Sequence, residues 1–97
     1  MLREIREMPT WIKDNNPQMY KRLLKEGTMQ EYLERKNEEL MDMVFNYQNR
    51  RKAQLQKEVD EDRMNYQEMM IQLVSDIQMY QTEMFRELIR PPASEED

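Results

Sequence analysis

Ninety-seven residues with no Cys, no His and a single Gly narrow what this chain can do. Without imidazole no side chain titrates ordinarily near neutrality; without thiol there is no cysteine nucleophile, no disulfide and no usual zinc site; and one glycine cannot build a phosphate-cradling loop. At 38% hydrophobic, 36% charged and a net charge of −5, the chain makes one domain with a modest core.

The opening run Met1-Leu2-Arg3-Glu4-Ile5-Arg6-Glu7 alternates charge and has no apolar stretch, so no export signal is expected. Thr10 to Asp14, with Trp11 and Ile12, predicts a turn of helix or an anchor, and Trp11 is expected to pack. Asn16-Pro17 reads as a cap followed by a first-turn proline. It opens a short helix with apolar Met19, Tyr20, Leu23 and Leu24, closed by Gly27 in the left-handed conformation that ends helices. Short helices are therefore expected over about residues 10–26.

From Thr28 to Arg90 there is neither Gly nor Pro. Thr28 and Glu31 have the capping-box spacing, and Pro91-Pro92 stops any helix. Two apolar stripes recur at helical spacing. One is Leu33, Leu40, Val44 and Tyr47, widened by Met29, Met41 and Phe45; the other is Tyr66, Met70, Leu73, Ile77, Tyr80, Met84 and Leu88, broadened by Ile71, Val74, Phe85 and Ile89. An unbroken helix of about 62 residues would be roughly 93 Å long, too long for a domain of this size. The sequence thus predicts long helices over about residues 28–57 and 61–90, with a break near Leu55 to Asp62 and with Asp60 or Asp62 capping the second. Residues 1–90 form one helical domain, and 91–97 are expected to be a disordered acidic tail.

The segment Pro17-Gln18-Met19-Tyr20-Lys21-Arg22-Leu23-Leu24-Lys25-Glu26-Gly27-Thr28-Met29-Gln30-Glu31-Tyr32-Leu33 resembles the front half of the TnpV family, small helical proteins of bacterial transposons and conjugative elements. Pro17, Tyr20, Leu23, Gly27, Met29, Tyr32 and Leu33 carry the likeness in register. Trp11-Ile12-Lys13-Asp14 is similar to the family's lead-in and Glu87-Leu88-Ile89 to its close. The resemblance implies a mobile-element origin and an all-helical fold. It brings no catalytic residues.

The other chemistries find little footing. A di-iron bundle lacks its histidines, Ser75 and Ser94 lack a His partner, and Glu58-Asp60-Glu61-Asp62 lacks the glycine and spacing of a calcium loop. No catalytic, metal-ligating or cofactor-binding residues are expected, and no enzyme. Arg50-Arg51-Lys52 with Lys57 forms a basic patch, but a pI of about 4.9 disfavours a polyanionic partner, so nucleic acid is not the expected one. No apolar run approaches the roughly 18–20 residues that cross a bilayer, and the absence of Cys fits a cytoplasmic protein.

Thioethers fill irregular cores and also suit adaptable partner surfaces. Met70 and Met84 are expected in the core, and Met43, Met69 and Met79 at a partner contact. The candidate partner or dimer surface comprises Met43, Tyr47, Tyr66, Met69, Met70, Leu73, Ile77, Met79 and Tyr80, with Asp60, Glu61, Asp62, Arg50 and Arg51 as candidate electrostatic contacts. The fold expected is all-α, with short N-terminal helices packed on a long antiparallel helical hairpin that dimerises into a bundle. The expected function is non-enzymatic protein–protein interaction in the service of a mobile element. The alternatives are a small acidic inhibitor that blocks a host nucleic-acid-binding protein such as a nuclease, and a DNA-binding accessory protein.

Overall fold

The computed structural model describes residues 1–93, and those residues are all-α, with no strand among them. Helix α1 spans Arg3–Asn15, α2 Pro17–Glu26, α3 Met29–Asp60 and α4 Tyr66–Met84, and α4 runs directly into a π-helical turn over Phe85–Ile89. Among the described residues no helix is long and apolar enough to cross a membrane.

Helix α1 starts at Arg3, well before the expected position, and passes straight through Pro9. An interior proline costs about 3 kcal/mol. The helix nonetheless buries Ile5, Met8 and Ile12 completely, and each such side chain contributes on the order of 1.5–3 kcal/mol, so burial outweighs the lost backbone bond. The first turn is held from outside: the Leu2 backbone amide donates to Asn37 Oδ1 of α3 at 2.9 Å.

Asn16 turns the chain from α1 into α2. Its Oδ1 accepts from the Met19 backbone amide at 3.3 Å, with Pro17 opening the helix, as the dipeptide predicts. Asn16 is also fully buried, and its Nδ2 donates to the Pro92 carbonyl at 3.0 Å, 76 residues away. The first residues of the expected disordered tail are thus tied down: Pro91 is buried, and the Arg90 guanidinium lies over the Trp11 ring at 5.0 Å. Residues 94–97 of that tail lie outside the described residues.

Helices α2 and α3 end in the same way. Gly27 takes φ +69°, its amide donates to Leu24, and the Thr28 amide donates to Leu23. At the far end Asp62 takes φ +59°, its amide donates to Val59, and the Arg63 amide donates to Glu58. An aspartate fills the glycine position there, which its short polar side chain tolerates. Asp62 therefore ends α3 and caps nothing after it. The cap of α4 is Asn65, whose Oδ1 accepts from the Glu68 amide at 2.8 Å while Glu68 Oε1 accepts from the Asn65 amide at 3.2 Å. The capping box expected at Thr28 and Glu31 is not made, since the Thr28 side chain makes no cap hydrogen bond.

Along α3 and α4, Tyr47 meets Tyr80, Arg51 meets Asp76, and Leu55 packs with Met69 and Leu73. Partner numbers fall as those of α3 rise, because the chain doubles back at residues 61–65. The molecule measures 57 × 19 × 18 Å and holds two apolar clusters. The larger joins Ile5, Met8 and Ile12 to Met19, Leu23, Tyr32, Leu33, Leu40 and Ile89. The smaller holds Leu55, Met69 and Leu73, with Val59, Met64 and Ile77 against it, and draws only on α3, α4 and the turn between them. One end is thus a four-helix body and the other a two-helix arm.

The π turn sets which residue closes the body. The Arg90 amide donates to the Phe85 carbonyl at 2.8 Å, a five-residue step that rotates the following side chains relative to an α-helix. Ile89 is consequently 2% exposed and Leu88 is 61% exposed, whereas the apolar period places Leu88 in the stripe. Ile89→Ala is expected to cost about 2–4 kcal/mol and Leu88→Ala less than about 0.5 kcal/mol in urea unfolding. Asn16→Ala, which removes a cap and strands the Pro92 carbonyl, should cost about 1–2 kcal/mol by the same measurement.

Candidate interaction surface on the arm

Between the two clusters lies a layer of polar and aromatic side chains. Tyr47 and Tyr80 stack with ring centroids 4.1 Å apart and planes 5° from parallel. One turn toward the arm, Arg51 Nε donates to Asp76 Oδ2 at 2.7 Å, and Gln72 Nε2 donates to Asp76 Oδ1 at 2.8 Å. Arg51 Nη1 is held in turn by Gln54 Oε1 at 3.0 Å. The Arg51 hydrogen bond holds the Asp76 carboxyl below the ordinary aspartate range; partial burial opposes this, and the Gln72 bond and the charge of Arg51 reinforce it.

This layer absorbs several of the residues expected to meet a partner. Tyr47 and Tyr80 occupy each other, and Arg51 is engaged by Asp76 within the chain. Leu73 is buried, Ile77 packs against the smaller cluster, and Met43 packs against the larger. Met69 is fully buried, whereas Met70 is 37% exposed, so the two exchange the places expected of them. The reason is angular: the seam on α3 follows Met69, Leu73, Ile77 and Tyr80, and its centre lies about 30° around the helix from that of the apolar stripe, enough to turn Met69 in and Tyr66 and Met70 out. Tyr66, Met70 and Met79 do face outward.

The acids at the tip serve local bonds. Asp60 Oδ1 accepts from Gln56 at 3.0 Å, Glu58 Oε2 accepts from Arg63 at 2.7 Å, and Glu61 pairs with the same arginine. Asp62 is the left-handed residue of the turn, and Arg50 stands exposed on α3. Among the described residues no cluster of three or more acids is placed to hold a metal ion. The surface has shallow grooves, one of them lined by Arg3, Glu4, Gln78, Gln81 and Thr82 and bridged by Gln81 Nε2 donating to Glu4 Oε1 at 2.8 Å.

Besides Met41 and Phe45 on α3, what remains open is the outer flank of α4. Ile71 is 72% exposed and Val74 51% exposed, next to Met70 and Tyr66. Residues 66, 70 and 74 follow one row of the helix, and 71 lies beside it. Helix α4 carries only Glu68, Asp76 and Glu83 as charges in 19 residues, and none falls on this flank. Glu68 serves the cap and Asp76 serves Arg51. In the sequence Ile71 and Val74 broaden the stripe of α4, and residues 67, 71, 74 and 78 also make a separate row of their own.

A depressed aspartate pKa contributes stability that is present above the unfolded value and lost as pH falls through the folded one. Asp76→Asn keeps the shape and can still accept from Arg51, so it isolates the charge. Its melting temperature should lie below that of the wild type by a constant amount from about pH 5 to 8, and the gap should close below about pH 4 as Asp76 takes up its proton.

Compared with known proteins, the chain matches no family model, no curated protein and no solved structure.

Proposed function

We propose that this chain is a non-enzymatic protein–protein interaction module, a regulator or adaptor whose working part is the helical hairpin formed by α3 and α4. The observation that carries this reading is the uncharged apolar flank of α4, where Ile71 and Val74 stand open in a chain that is otherwise 36% charged. Together Tyr66, Met70, Ile71 and Val74 leave on the order of 400 Å² of side-chain surface in water, in the range where such a patch on a monomer is often functional. Burying it against another protein's helices would give the two-layered arm the further layer its own chain does not supply. A mobile-element setting is supported by the likeness of residues 11–33 to TnpV proteins.

A reading as an acid-faced inhibitor draws less support, because Glu58, Asp60 and Glu61 have partners within the chain. A DNA-binding reading loses Arg51 to Asp76.

The test is site-specific crosslinking in the native cell. A photo-crosslinking amino acid in place of Ile71 should join the chain to one defined protein, and the same group in place of exposed Asn49 should not. Equal, non-selective labelling from the two positions would overturn the reading.

A further inference from the structure

The outer flank of α4 has an internal order that points to its occupant. Gln67, Ile71, Val74 and Gln78 follow one another at steps of four, three and four, so they form a single row along the helix. All four are exposed. Their order is polar, apolar, apolar, polar, which reads the same from either end. We infer that the flank is covered by a second copy of this chain, docked antiparallel about a two-fold axis that passes between Ile71 and Val74. The inference rests on the reading of this flank as an interaction surface and names what covers it.

Two-fold symmetry requires a patch that complements itself. Here it sets Ile71 against Val74 of the second copy, and Gln67 against Gln78 of the second copy, each pair occurring twice. A glutamine amide both donates and accepts, so two glutamines pair with each other without needing unlike partners. Charge points the same way. Two chains of net charge −5 repel over most of their surfaces, but on this flank neither presents a carboxylate. The absence of charge also leaves the flank with nothing to select an acidic peptide, a basic peptide or a phosphate backbone. Size sets the strength of the pairing. Doubled by symmetry, the patch comes to roughly 800 Å² of side chain before its glutamine rim is added, which is the size of a weak, concentration-dependent interface. Two arms so joined set α4 against α4 with each α3 on the outside, and leave the body of each chain pointing away from the other.

The pairing can be tested by charge substitution at the two glutamines, which lie on the surface and leave the fold intact. The measurement is sedimentation equilibrium of the purified chain up to about 100 µM, with helicity followed in parallel. The wild type should sediment at twice its 12.1 kDa. The double variant Gln67→Glu, Gln78→Glu sets like charges opposite each other twice and should weaken association by about tenfold or more at unchanged helicity. The double variant Gln67→Glu, Gln78→Lys sets opposite charges together twice and should stay dimeric. A wild type that sediments at 12.1 kDa throughout would overturn the inference, as would two double variants that associate equally well. A monomeric wild type that still crosslinks from position 71 to a different protein would reject the second copy and leave the interaction surface standing. No crosslink at all would remove both.

Discussion

Helix α3 is 32 residues long, about 48 Å, and the remaining chain is too short to cover it from end to end. That mismatch organises the molecule. Helices α1 and α2, the π turn and the Pro91-Pro92 strap gather around its first half, and together with α3 itself they bury nine apolar side chains there. The second half has only α4 beside it and buries three. A pair of helices meets along one seam, and the side of each helix turned away from that seam faces water. The exposure of Ile71 and Val74 follows from this geometry.

The polar layer at the junction of body and arm gives the pairing of α3 and α4 its register. Apolar contacts alone tolerate sliding by a turn, since methionines and leucines substitute for one another with little loss. A stacked pair of tyrosines beside an ion pair does not, because a shift of one turn would separate Arg51 from Asp76 and leave both partly buried charges unmatched. The layer contributes little to the strength of the pairing and much to its uniqueness.

Much of the body was legible in the sequence because its signals are local. Asn16-Pro17 and Gly27 act through their own backbone neighbours, and both do in the structure what their residue types predict. The start of α1 was hidden because Pro9 argues against a helix locally, and only the burial of Ile5 and Met8 overrules it. The end of α3 was blurred because an aspartate occupies the position where glycine would announce the turn. Met69 and Met70 were interchanged because a broad stripe of alternating spacing fits two rotations of α4 equally well; the packing of Leu55, which lies outside the stripe, against Met69 and Leu73 goes with the rotation seen. Leu88 was misplaced because a π turn leaves no mark in composition. Ile71 and Val74 broaden the stripe in the sequence, and their exposure follows from the width of an arm only two helices across, which their spacing does not encode.

The bond from Asn16 to the Pro92 carbonyl carries a consequence for the order of assembly. It joins positions 76 residues apart, and Gln81 to Glu4 joins positions 77 apart, whereas Arg51 and Asp76 are separated by only 25. Closing a short loop sacrifices less chain entropy than closing a long one. The slender part of the molecule can therefore zip together while its broad part still waits for both ends of the polypeptide, and the final act of folding is the arrival of two prolines at a buried amide.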